Sequence, residues 1–400
     1  MLTPGRVVAT GAFTIALLTS CGGGGTDIGG GVAGYAYIVS AMPQSQGAAA
    51  PYAIHANGSL SPLSSGPVPT GMNPTSIVAD PTGHYVYVVN QGDDTISQFS
   101  VSSDGVLTAL SPATVSVPNP SGSTSYSASI DPGGRYLYVV GRSFDPGGPA
   151  VPQLVAPGVV LQFSIGSSGA LTPLSPASIT VPGSTAGPLV IDPAGQYGYL
   201  AGLGQVFQFS ISGNGTLAPL TQASFAATGA VNVTVTPDGR RAYVLSACID
   251  TACDGQIGEY TVGMDGTLTP TGATTPTDSH VIPIALEIDT SGSSAYLLAN
   301  QMGVDTNAGA VYPFAINSTS GALQPGSPSS VSVTSGAVAE SVFGAFLYAL
   351  SANAVGFASG SPQGGHVDHY AIGSGGLLIE KDSVSLSSGY PTAMTLVATH

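Results

Sequence analysis

Seven times along the chain a strand-like run ending in an aromatic residue passes into Gly-x-Leu. The copies run from Tyr52 to Leu60, Phe99 to Leu107, Phe163 to Leu171, Phe209 to Leu217, Tyr260 to Leu268, Phe314 to Leu323 and Tyr370 to Leu378. Strand-type patterning that recurs about every fifty residues is the sequence form of a ring of small antiparallel sheets, each unable to bury its faces alone. Seven copies predict seven blades and an all-β, seven-bladed β-propeller.

A second column precedes each copy: Asp80-Pro-Thr-Gly-His-Tyr-Val-Tyr87, Asp131 to Tyr138, Asp192 to Tyr199, Thr236 to Tyr243 and Asp289 to Tyr296, with Tyr348 a degenerate copy and Tyr37 the seventh without its turn. Pro and Gly make a turn between two strands. Each repeat therefore reads as inner strand, Asp-Pro-x-Gly turn, Tyr strand, variable loop, aromatic strand, Gly-x-Leu turn and outer strand. The two aromatic columns hold 14 of the 28 Tyr and Phe residues, a concentration that assigns them to packing between blades. The first repeat begins at Gly34 with no inner strand before it. Pro391 to Leu396 aligns with Pro74 to Ala79, so the C-terminal strand is expected to complete blade one and leave no strand missing.

The first thirty residues do not belong to this pattern. Arg6, an apolar stretch from Val7 to Leu18 and Leu18-Thr19-Ser20-Cys21 read as a signal peptide over 1–20. The segment resembles a bacterial lipoprotein signal, which implies lipidation of Cys21, a Gly-rich tether over 21–31 and a propeller over 32–400. Gly22 after the cysteine resembles outer-membrane sorting, which implies a cell-envelope protein facing the periplasm or the cell surface, touching the membrane through its lipid only. Cys248 and Cys253 are spaced to close one loop as a disulfide in an oxidising compartment. Formal charge is −15, and loss of Arg6 leaves Arg135, Arg142, Arg240, Arg241 and Lys381 as the basic residues. Nucleic acid is excluded as a partner, because phosphate binding needs clustered Lys and Arg. Phosphorylated metabolites are disfavoured for the same reason.

The stretch from Asp80 through Tyr85-Val-Tyr-Val-Val-Asn90 to Leu107 resembles the repeat of the lactonase-type seven-bladed propellers. That group includes 6-phosphogluconolactonases and carboxymuconate-cyclising enzymes, and is related to surface propellers with Tyr-Val-Thr-Asn repeats. The resemblance covers residues 32–400. It implies a ligand over the central channel on the variable-loop face, and leaves activity open. Tryptophan is absent, which removes the signatures of WD repeats and quinoprotein propellers. No Gly-x-Ser-x-Gly elbow, His-Glu-x-x-His or phosphate loop stands in the chain, and no cofactor or metal is implied.

Opening a lactone needs a base and an oxyanion donor. Glu287 is the first candidate, a lone carboxylate in an inner-strand column otherwise filled by Val78, Ser129, Val190, Thr234 and Thr395. A solvated glutamate lining a wet channel is the plainer account. His280, beside Asp278 in the loop leading to that strand, is its expected partner. Arg142 and Asp145 open the longest loop, and Arg142 could hold a carboxylate or polarise a carbonyl. Glu340 falls where the register of blade seven is ambiguous by one position. His366 and His369 suggest metal, although His369 sits in the column of Gln98, Gln162, Gln208 and Glu259. Asp93 with Asp94, and Asp250 with Asp254, have the acidity for calcium but the spacing of turns. Two functions follow. The favoured one is a tethered module that binds a partner protein or glycan through its loop face, and the other is a hydrolase of an unphosphorylated lactone using Glu287 and His280.

Overall fold

The computed structural model describes residues 31–41, 45–117, 125–142, 157–183, 185–202, 204–247, 255–277, 281–301, 308–352, 364–386 and 389–399. Cys21, Cys248, Cys253, His280, Asp278, Asp145, Asp250 and Asp254 lie outside them.

The described residues form seven antiparallel sheets. Blade 2 is β5 (Pro74–Ala79), β6 (Tyr85–Asn90), β7 (Thr95–Val101) and β8 (Leu107–Ser116). Blade 3 is β9 (Ser125–Ile130), β10 (Tyr136–Arg142), β11 (Gly158–Ile165) and β12 (Leu171–Val181). Blade 4 is β13 (Thr185–Ile191), β14 (Tyr197–Gly202), β15 (Gly204–Ile211) and β16 (Leu217–Ala227), and blade 5 is β17 (Ala230–Val235), β18 (Arg241–Ser246), β19 (Gln256–Val262) and β20 (Leu268–Pro276). Blade 7 is β26 (Gly336–Phe343), β27 (Phe346–Ala352), β28 (Gly365–Ile372) and β29 (Leu378–Ser385). Blades 1 and 6 depart from four strands. In blade 1, β1 (Val32–Ala41) and β2 (Gln46–His55) are followed by an outer strand broken into β3 (Leu60–Pro62) and β4 (Val68–Met72). In blade 6, β21 (Val281–Ile288), β22 (Ser294–Gln301) and β23 (Gly309–Ile316) are followed by β24 (Leu323–Pro325) and β25 (Val331–Val333). Prolines at 62, 67, 325 and 328 frame the two breaks, where they cannot donate to the ladder.

The inner strand of blade 1 is β30 (Tyr390–Ala398), paired antiparallel with β1. Its Thr395 lies opposite Tyr37 as Val78 lies opposite Tyr87, which is the expected alignment of the two chain ends. The inner strands contact one another in sequence round the ring, from β5 through β9, β13, β17, β21 and β26 to β30 and back to β5.

The two sequence columns turn out to be halves of one device. Six of the column tyrosines donate their hydroxyl to the carbonyl of the Gly-x-Leu glycine in the following blade. Tyr37 reaches Gly105 at 2.9 Å, Tyr87 reaches Gly169, Tyr138 Gly215, Tyr199 Gly266 and Tyr243 Gly321 at 2.7 Å, and Tyr348 closes the ring on Gly58 at 2.7 Å. All seven rings are at most 1% exposed. Burial of each such ring stabilises by about 1.5–3 kcal/mol, and the hydroxyl bond adds roughly 1 kcal/mol net. Two residues earlier, Tyr35, Tyr85, Tyr136 and Tyr197 lay their rings on the same glycines, where any Cβ would overlap them. Gly105, Gly169, Gly215 and Gly266 also have φ between 78° and 84°, so both space and backbone demand glycine. Where an aspartate starts the turn it caps it: Asp192 accepts from the amides of Gln196 and Tyr197 at 2.6 Å, and Asp131 from those of Arg135 and Tyr136 at 2.6 and 2.7 Å.

Candidate functional site

Which way each inner-strand residue faces follows from the alternation of side chains along a strand. The row that contains the column tyrosines looks toward the following blade. Besides the tyrosine bonds, Gln98, Gln162 and Gln208 in that row each accept at 2.7 Å from the leucine amide of the next Gly-x-Leu, at Leu171, Leu217 and Leu268. Its inner-strand members are Val78, Ser129, Val190, Thr234, Glu287, Ser341 and Thr395, each opposite its tyrosine. Thr234 accordingly donates to the Leu286 carbonyl in blade 6, at 2.6 Å. Glu287, half-buried, therefore faces blade 7.

The row one residue earlier looks back toward the preceding blade. It contains Ile77, Ala128, Leu189, Val233, Leu286 and Met394, all buried and apolar, and in blade 7 it contains Glu340. Glu340 is 1% exposed and faces blade 6, where the Leu298 amide donates to its Oε1 at 3.2 Å. Its Oε2 is buried without a hydrogen-bond partner, although the Glu287 amide lies near enough to the carboxyl to favour its charged form. Burial first, and the Glu287 charge second, push the Glu340 pKa well above the usual carboxylate range. Two carboxyl groups thus enter the blade 6–7 seam from opposite walls. Such a pair tends to divide into one neutral acid and one carboxylate.

Glu287 is the second-to-last residue of β21, next to the tight Asp289–Ser294 turn, whereas Val281 begins that strand on the loop face. Six residues of strand separate the two by about 20 Å. His280, which precedes Val281 in sequence, is outside the described residues. Arg142 is the last residue of β10, opposite Ser125 and at the loop-face end of blade 3; its side chain and Asp145 are not among those described. The carboxyl neighbour that Glu287 does have is Glu340, and one position of register hid it: Ser341, not Glu340, occupies the Glu287 column.

Residues 33–339 match the family described as Lactonase, 7-bladed beta-propeller. The chain belongs to that lactonase family. Among solved structures, the periplasmic gluconolactonase PpgL of Pseudomonas aeruginosa is similar at 19% identity and a TM-score of 0.68, over 92% of this chain and 99% of that one. A putative 6-phosphogluconolactonase from Bacteroides uniformis is similar at 18% identity and 0.68, over 92% and 100%. A protein from Lactobacillus plantarum follows at 16% and 0.67, over 92% and 99%. At these identities the likeness concerns the fold. No curated protein matches.

The remaining polar candidates in this lactonase-family propeller have structural occupations. Asp93 accepts from the Met72 amide at 3.0 Å and from the Thr95 hydroxyl at 2.8 Å, which is turn duty. His369 lies opposite Tyr348 in the glutamine column, 2% exposed, stacked on that ring at 5.2 Å and bonded through Nδ1 to Asp382 at 2.7 Å. His366, three residues away on the same strand, faces the other side of the sheet. Among the described residues no three His, Cys, Asp or Glu groups gather to hold a metal. Arg135 is bound to Asp131 at 3.1 Å, and Arg241 donates to the carbonyls of Thr319 and Ser320. Both arginines sit on the tight-turn face.

Proposed function

We propose that this lactonase-family propeller hydrolyses an unphosphorylated, sugar-type lactone, with Glu287 as the base. The observation that carries the reading is the carboxyl pair in the blade 6–7 seam, where Glu287 is half-buried and Glu340 fully buried. The Glu287 carboxylate takes a proton from water as the water oxygen bonds to the lactone carbonyl carbon. The ring C–O bond then breaks and the same proton passes to the departing ring oxygen, giving the open hydroxy acid. General-base assistance of this kind contributes about 10²–10⁴-fold. Preference for an uncharged lactone rests on Arg135 and Arg241 being committed to the scaffold. A periplasmic gluconolactonase among the structural neighbours agrees with that substrate class.

This reading departs from the sequence expectation of a partner-binding module, because the acid pair is a positive feature that binding through the loop face does not call for. His280 lies outside the described residues and Arg142 has no described side chain, so neither is given a step in it. We further propose that lipid on Cys21 tethers the propeller to the cell envelope, which replacement of Cys21 by Ser would release into the soluble fraction.

A panel of aldonolactones at neutral pH, assayed with wild type and Glu287→Gln, tests the proposal. Turnover that falls at least about 100-fold in the variant supports it. Equal turnover in both proteins, or a preference for phosphorylated lactones, contradicts it. Ligand binding with no turnover would return the protein to the binding reading.

A further inference from the structure

Glu340 is the exception in a row that the other six blades fill with Ile, Ala, Leu, Val, Leu and Met. Its Oε1 has the Leu298 amide, while Oε2 is buried without a hydrogen-bond partner. Among the described residues of the strands around it no compensating cation is at hand, since β21, β22, β26, β27, β28 and β30 contain neither Lys nor Arg. The titratable groups that turn toward this seam are Glu287 from β21, Tyr296 from β22, and His366, Asp368 and Tyr370 from β28. Asp368 is occupied by Thr334, whose amide it accepts at 2.8 Å, and Tyr370 by the Ser332 carbonyl. Tyr348 and His369 face blade 1.

We propose that Glu287 and Glu340 form one proton-sharing pair across the blade 6–7 seam, in which Glu340 keeps the proton and Glu287 remains the carboxylate. An ionised Glu340 would leave Oε2 charged and buried, with only the nearby Glu287 amide to favour its charge, beside a second negative charge. As the neutral acid it still accepts from Leu298 through Oε1, and Oε2–H gains a proton to offer toward Glu287. Burial and the neighbouring charge act in the same direction. Glu340 is then a positioning residue that holds Glu287 ionised by donating to it. Only this catalytic consequence rests on the reading of Glu287 as a base; the proton on Glu340 does not.

Infrared spectroscopy of the full protein at neutral pH tests the pair directly. Wild type should show a protonated-carboxyl C=O band that is absent in Glu340→Gln. In Glu287→Gln the band should persist, and the pH at which it disappears should fall, because the negative charge that opposes ionisation of Glu340 has been removed. No band in wild type, a band surviving in Glu340→Gln, or an unmoved midpoint in Glu287→Gln would each overturn the pair. If Glu340→Gln does not fold, wild type and Glu287→Gln decide it. On a hydrolysed aldonolactone, Glu340→Leu should move the acid limb of kcat/KM to higher pH, and Glu340→Gln, which can still donate, should restore it. An unmoved limb in Glu340→Leu would contradict the positioning role. Absence of turnover in wild type sinks the hydrolase reading and leaves the infrared result to judge the pair.

Discussion

The blade 2–3 seam and the blade 6–7 seam are built at equivalent positions from the same repeat, yet they are held differently. Between blades 2 and 3, Tyr87 bonds to Gly169 at 2.7 Å, Gln98 bonds to Leu171 at 2.7 Å, and Ser76 accepts from the Ala128 amide at 3.1 Å. Between blades 6 and 7 the tyrosine hydroxyl does not reach the glycine carbonyl, since the turn there is remade as a short 3-10 segment over Ser374–Gly376. Pro313 stands opposite Tyr296 where blade 2 has Gln98. The acid pair occupies this one seam. Where the repeat's own ladder is complete the inner rows are apolar or hydroxylic, and where it lapses the chain has placed two carboxyls. Other bonds cross this seam instead: Asn300 donates to the Ala337 carbonyl at 3.1 Å and accepts from its amide at 2.7 Å, and Asp368 accepts from the Thr334 amide at 2.8 Å, so what sets the seam apart is its buried acid.

The sharpest way to break the comparison is to open the ring. Deleting residues 391–400 removes β30, the inner strand of blade 1, and should abolish cooperative unfolding followed by circular dichroism; an unchanged melting curve would refute closure by both chain ends. Next comes Gly169→Ala, which places a Cβ against the Tyr85 ring at a φ of 78° and should destabilise by about 2 kcal/mol or more. The same change at Gly66, also at positive φ but with nothing near its Cβ, should cost only about 1 kcal/mol, the backbone share. Smallest is the tyrosine pair. Tyr87→Phe should lose roughly 1 kcal/mol with its bond to Gly169, whereas Tyr296→Phe should be close to neutral in chemical denaturation. Equal losses at the two positions would mean that the seams are held alike.

Much of this architecture is legible in the sequence because each device is repeated. Tyr37 and Thr395 could be aligned across the whole length of the chain, since Tyr87 and Val78 state the same pairing in a neighbouring blade. What a repeat cannot display is a contact between different repeats. Tyr87 and Gly169 are 82 residues apart, and nothing within either copy says that one serves the other. Glu340 was obscured for another reason. A one-residue change in register turns a side chain to the opposite face of its sheet, and β26 carries an irregularity between Ala337 and Ala339 just before it. Glu287, by contrast, stands out because its column has five other legible members for comparison, none of them charged. Its expected partner His280 lies outside the described residues.

The dependence of thermal stability on pH tests the blade 6–7 seam most directly. Because the folded Glu340 pKa is raised, the group binds its proton more tightly in the folded chain than in the unfolded one. Its contribution is full below the unfolded value of about 4.3 and is lost, at roughly 1.4 kcal/mol per pH unit, as pH rises toward the folded value. Wild type should therefore lose Tm relative to Glu340→Gln as pH rises from about 4.5 through neutrality, with the variant the more stable of the two at neutral pH. Parallel curves across that range would contradict a buried, protonated Glu340, and with it the account of this seam.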